Sequence, residues 1–170
     1  MNAAHFHLLF NHLPIISPIL GILVLSLGYI LGSSIIKRTA LFIFILGSLF
    51  TFPAFNTGEG AEELIENMEG ISEDFIKIHE EFAETFSVFA YLLGAFSTIG
   101  IWISWKQKTY SDAFNYLLIA FSLVTLYFGA KTGNSGGEIR HTEIRTQNSS
   151  DSTKTYIEES KKHVEDENDD

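Results

Sequence analysis

Pro18 to Ile36 read PILGILVLSLGYILGSSII, nineteen residues without a charge. As a helix at about 1.5 Å per residue the run is about 28 Å long, close to the hydrocarbon thickness of a bilayer. Ser17-Pro18 has the form of an N-cap followed by proline at the first helical position, where the missing N–H is harmless. Pro14 lies one turn earlier, so the alternative is a helix that starts there and bends at Pro18. Working outward, three further uncharged runs follow, at 39–55, 85–105 and 113–130. With their flanking turns the expected spans are 14–36, 39–55, 82–105 and 113–130. Pro53 disturbs the last turn of the second, and Asp112 stands where it can cap the fourth. The expected fold is all-α, a four-helix transmembrane bundle with up-down-up-down topology in residues 1–145.

The charges are segregated. The chain is 46% hydrophobic with a net charge of −10, yet residues 56–84 alone hold ten acids and one base, a net of −9. The acid excess leaves little to neutralise phosphates, which argues against a nucleic-acid partner. The chain has no cysteine. That excludes disulfides, cysteine-bound zinc, thiolate-held iron–sulfur clusters and covalently attached c-type haem. Lys37-Arg38 joins spans one and two, and Lys106 with Lys108 joins spans three and four. The positive-inside rule makes both connections cytoplasmic. The N-terminus, the acidic segment 56–84 and the C-terminal tail then lie on the opposite side, the expected location being the bacterial cytoplasmic (inner) membrane. The first span has no basic residues before it and no cleavage site after it, so it reads as an anchor rather than a signal peptide.

Gly28-x-x-x-Gly32, with Ser17 and Gly21 above it, provides small residues for close helix contact. In the acidic segment a short helix is expected over 61–68, broken at Gly70. Ser72 then caps a longer one, with Glu73 and Asp74 at the positive end of its dipole and Phe75, Ile78, Phe82 and Phe86 along one face. That face runs into the third span, so one helix of about 34 residues, ~50 Å long, projects above the membrane. Residues 146–170 are polar and acidic and are expected to be disordered.

Six histidines are present, His5, His7, His12, His79, His141 and His163. Under this topology all lie outside the cytoplasmic half, near the outer ends of the helices, where Glu59 also sits. Imidazole ligates haem iron, zinc and copper, and two from different helices can hold a haem on both faces. The candidate cofactor-binding residues are His7, His12, His79 and His141. Glu59 and Glu138 are candidate metal ligands or partners that orient one, Glu138 forming a Glu-x-x-His pair with His141 behind Gly136-Gly137. On an ideal helix His5 and His12 share a face and His7 points away. His163, in the tail, is read as idle. No nucleophile elbow, H-E-x-x-H, Walker or dinucleotide-binding motif occurs. No acid or base lies mid-span, which argues against an ion pump or proton-coupled transporter.

The stretch His7-Leu8-Leu9-Phe10-Asn11-His12-Leu13-Pro14-Ile15 resembles the opening of a family of small bacterial membrane proteins of unknown function. Its members begin near His-Pro-Leu-Leu-Val-His-Phe-Pro-Ile and have four predicted helices. Thr57-Gly58-Glu59, His79 and Gly136-Gly137-Glu138 look like its other polar landmarks, so the resemblance covers residues 5 to 141. This chain departs at Leu8, where the family usually has proline, and in its longer acidic segment. Some relatives are joined to cytochrome c-like or Rieske-type modules. The resemblance therefore implies a membrane redox setting and a b-type haem, and it favours the pair His7 and His12 over His5 and His12.

The leading expectation is an integral membrane protein that binds haem or a divalent metal ion through outer-face histidines, in electron transfer with cytochrome or other redox membrane proteins. The alternatives are a non-catalytic scaffold subunit of a membrane complex and a metal-dependent membrane hydrolase.

Overall fold

The computed structural model describes residues 2–66, 68, 70–106, 109–141 and 144–145. The tail 146–170, with His163, and Lys108 in the third-to-fourth connection lie outside the described residues. Six helices follow in order: α1 Ala3–Phe10, α2 His12–Ile30, α3 Ser34–Asn56, α4 Gly58–Ile65, α5 Glu73–Trp105 and α6 Ser111–Arg140. Among the described residues there is no strand. Four helical stretches, 3–30, 34–65, 73–105 and 111–140, are long and apolar enough to cross a membrane.

α1 and α2 form one rod interrupted at Asn11, whose backbone stays helical (φ −62°, ψ −28°) and whose N–H still reaches His7 O at 2.9 Å. Ser17 is therefore not an N-cap. It lies inside the helix, and its hydroxyl donates to Pro14 O at 3.1 Å. That carbonyl is the one that Pro18, lacking an N–H, leaves without its helical donor.

The first span ends earlier than expected. Its helix stops at Ile30, and Ile35 and Ile36 belong to α3. Gly32 adopts φ 62°, Ser33 N–H closes on Gly28 O at 2.9 Å and Gly32 N–H on Tyr29 O at 3.1 Å. This is a helix terminator that needs the left-handed conformation glycine tolerates. Gly32 thus ends the helix and is no part of a packing seam. Lys37 and Arg38 lie in the opening turns of α3, not in a loop. Ser33 Oγ accepts from Ile36 N–H and caps that helix.

Contacts between α2 and α3, α3 and α5, α5 and α6, and α2 and α6 close the bundle. Its core is Leu25, Ala40, Leu41, Phe44, Leu93 and Leu118. The helices approach through small residues: Gly21 under the Phe44 ring, Gly28 against the Lys37 backbone, Gly47 against Ser17 and Gly94 against Ser48. Polarity is inverted relative to a water-soluble domain. Ser97, Ser122 and Thr125 are wholly buried, while Leu23, Leu49, Val88 and Leu117 are exposed. Ser122 and Thr125 donate to carbonyls of their own helix, Ile119 O and Phe121 O. Such a surface is matched to lipid, with small polar side chains turned inward.

The two ends differ. At one, Lys37 Nζ pairs with Asp112 Oδ1 at 2.8 Å and lies 3.9 Å from the centre of the Tyr29 ring. Tyr29 OH donates to the same carboxylate, so α2, α3 and α6 are joined there. Trp102 and Trp105 are exposed at this end. At the other end, α4 starts at Gly58, before the expected Ala61, and the chain turns at Gly70, φ 85°. α5 rises from Ser72 as one helix of 33 residues. α6 runs past the expected end of the fourth span to Arg140. Arg145 then folds back, donating from Nε to Glu138 O at 2.7 Å and from a terminal nitrogen to Ile139 O at 2.9 Å. Its guanidinium also lies 4.2 Å from the centre of the Phe75 ring. A cation on the last carbonyls of α6 is favourable at the negative end of the dipole.

Candidate functional site

His7 and His79 meet at the acid-rich end. Their ring centres are 6.4 Å apart and the planes are nearly perpendicular, at 88°. Each is held by a backbone carbonyl from another helix. His7 Nδ1–H donates to Ala54 O at 2.9 Å. Ala54 lies in the last turn of α3, where carbonyls have no further helical N–H to accept from. His79 Nδ1–H donates to Thr132 O and to Ser135 Oγ, both at 3.1 Å. The Ser135 hydroxyl itself donates to Thr132 O at 3.0 Å, so it can only accept from the imidazole. Carbonyl oxygens cannot donate, so in both rings Nδ1 carries the proton. In the neutral form Nε2 then keeps its lone pair, the arrangement found in ligating histidines.

Both histidines lie beyond the apolar runs, yet both are part-buried. Burial pushes each below the ordinary histidine pKa, against the backbone hydrogen bonds that favour the charged form. Each ring also disfavours charge on a neighbour, His12 acting on His7 and His7 on His79.

Glycines make room for the rings. A Cβ on Gly136 would stand 3.0 Å from His79 Cε1, and one on Gly58 would stand 3.8 Å from His7 Cε1. Thr132 fixes the neighbouring turn by donating to Phe82 O, across to α5, at 3.0 Å.

The remaining candidates are placed differently. His5 and His12 are both exposed, on the face opposite His7, and His12 Nδ1–H donates to Leu8 O at 3.3 Å within its own rod. Glu59 is exposed in the first turn of α4. Glu138 is buried and accepts from Asn134 Nδ2 at 2.8 Å. His141 is the exposed C-cap of α6, its N–H closing on Gly137 O at 2.9 Å. Among the described residues no three His, Asp or Glu side chains are grouped so as to hold a metal ion.

Reading the sequence missed Ala54, Thr132 and Ser135 as parts of the site, and took Gly136 as a neighbour of Glu138 and His141 rather than of His79. A signal was present. Ser122, Thr125, Gly129, Thr132 and Gly136 recur every three or four residues, past the end of the apolar run. That spacing marks a seam of small residues continuing α6 against the outer part of α5.

The chain matches no protein-family model, no curated protein and no solved structure.

Proposed function

We propose that the chain is a multi-pass protein of the bacterial cytoplasmic membrane that binds a b-type haem or a single transition-metal ion through His7 and His79. In this reading its helices cross up-down-up-down, both termini are outside, and it serves electron transfer with cytochrome or other redox membrane proteins. The observation that carries the reading is the meeting of two histidines from distant helices, each with Nδ1–H anchored and Nε2 left basic. The residues fit such a group. With metal–nitrogen bonds of about 2 Å, two imidazoles could share one ion only if their ring centres were within roughly 6 to 7 Å. The centres here are 6.4 Å apart. A bound haem supplies one-electron chemistry. The chain's part is to orient two neutral imidazoles and to keep water from them.

The donor set argues against the hydrolase. A hydrolytic zinc takes three protein ligands and keeps one open position, and no such trio is grouped among the described residues. The scaffold reading has an observation in its favour, since the His7 and His79 hydrogen bonds by themselves tie α1 to α3 and α5 to α6.

The test is an absorption spectrum with metal analysis of detergent-purified protein from haem- and metal-replete cells. His7→Ala and His79→Ala are each expected to strip the bound group, whereas His12→Ala and His163→Ala leave it in place. Protein that is colourless and metal-free refutes this reading and counts for the scaffold instead.

A further inference from the structure

The strongest feature unused by that site is at the opposite end of the bundle. An open groove of about 310 Å³ runs between α3 and α5, lined by Ile35, Arg38, Thr39, Phe42, Ile101 and Trp105. The α3 members recur at three- and four-residue intervals on one helix face, and Ile101 and Trp105 are one turn apart on α5. The chain directions give the groove a gradient. α3 leaves this end of the bundle and α5 arrives at it, so Ile35 and Trp105 stand outermost, with Arg38 one turn in on α3. Phe42 lies about 6 Å deeper than Arg38, and Ile101 about 6 Å deeper than Trp105, one helical turn on.

The charge at the mouth is available. Lys37, its neighbour in sequence, is paired with Asp112 at 2.8 Å. Arg38 instead donates from Nε to Ser34 O at 3.2 Å, and among the described residues its guanidinium meets no carboxylate. Trp105 is 67% exposed and Phe42 53% exposed, so the groove opens outward from the bundle. A guanidinium and an indole at the mouth of an otherwise apolar groove match the parts of a lipid, phosphate and acyl chain. In a chain of net charge −10 this is a local site of the opposite sign.

From this arrangement we infer that the groove between α3 and α5 is a binding site for one anionic glycerophospholipid, with Arg38 on the phosphate and Phe42 and Ile101 along an acyl chain. Trp105 packs against the glycerol region. The inference is independent of any cofactor at the other end.

Trp102 and Trp105 are the two tryptophans of the chain, so in a Trp102→Phe background Trp105 reports alone. That protein is reconstituted in phosphatidylcholine vesicles containing an equal mole fraction of either brominated phosphatidylglycerol or brominated phosphatidylcholine. The apparent affinity from Trp105 quenching is expected to favour the anionic lipid by about fivefold, the scale one arginine confers at a membrane surface. Arg38→Gln brings the ratio to about one, Arg38→Lys retains most of it, and Lys106→Gln, outside the groove, leaves it unchanged. Equal quenching by both lipids in the parent protein overturns the site. So does an Arg38→Gln variant, of unchanged helix content, that keeps the preference. A loss with Lys106→Gln as large as with Arg38→Gln also overturns it, since the preference is then general surface charge.

Discussion

Replacing Gly28 by alanine sets two physical effects against each other with opposite signs. In an ordinary helix interior the substitution stabilises by about 0.5–1 kcal/mol, because alanine loses less backbone entropy. Here the new Cβ would stand 2.9 Å from the backbone N of Lys37 and 3.2 Å from its Cα. Carbon contacts are comfortable at about 3.5–4.0 Å, so α2 and α3 must part by roughly half an ångström or more. Lys37 Cγ is equally close, at 2.9 Å, but rotating that side chain leaves the backbone obstacle in place. The turn between the helices is closed by Ser33 N–H on Gly28 O at 2.9 Å, which restricts the adjustment. Overpacking of this kind costs about 1–3 kcal/mol. The net expectation is a loss of roughly 1–2 kcal/mol, a shift of about five- to thirtyfold in the folding equilibrium. Gly133→Ala is the control. Its Cβ would meet only Ile15 Cδ1, at 3.8 Å, an ordinary contact, so the helix term acts alone and stability rises by about 0.5–1 kcal/mol. Both variants can be unfolded reversibly in mixed micelles of increasing SDS content, followed by helix circular dichroism. Gly28→Ala as stable as the wild type, or Gly133→Ala falling with it, would refute the reasoning.

Membrane orientation is open to labelling: an impermeant maleimide applied to intact cells should modify Met68→Cys and spare Thr109→Cys, and the reverse pattern inverts the proposed topology. Arg145→Ala should free the Glu138 and Ile139 carbonyls and the Phe75 ring, weakening the last turn of α6 by about 1–2 kcal/mol, read as faster amide exchange there with the rest of the bundle unchanged. For Asp112, the Lys37 hydrogen bond holds the carboxyl below its ordinary range, so its contribution is present above pH 3.8 and lost as pH falls through the lower folded value. Asp112 is exposed, and Asp112→Asn should cost no more than about 1 kcal/mol in the same SDS titration near pH 7, a cost that shrinks as pH falls below 3.8. His7 and His79 are held below 6.5 by burial, so the folded state binds fewer protons than the unfolded chain. Their stabilising effect is full above pH 6.5 and declines as pH drops through and beneath it, a decline that His79→Asn should flatten.

The apolar lengths, the charge distribution and the punctuation of this chain were enough for the broad architecture, because each acts locally. A run without charge must satisfy its backbone within itself, and that makes it a helix whatever it packs against. Ser72 followed by Glu73 and Asp74, with apolar residues on one face, likewise announced the long α5 before any tertiary contact was known. The helix ends were less legible. Uncharged residues continued to Ile36, but Gly32 and the carbonyl it closes on decided the reversal at residues 31–33, and Pro18 became an interior residue because Ser17 could supply the missing donor.

The site was legible only as an inventory of histidines near helix ends. The helical period separated His7 from His5 and His12, yet nothing local says which face turns inward; the packing of the rod against α3 decides that, burying His7 on Ala54 O and leaving His12 outside. Its meeting with His79 joins positions 72 residues apart, and depends on α6 extending past its apolar run to present Thr132, Ser135 and the open face of Gly136. Spans follow from free energies of single segments in lipid, whereas a pair of rings follows from the relative rotation of several helices. Only their mutual packing sets that rotation.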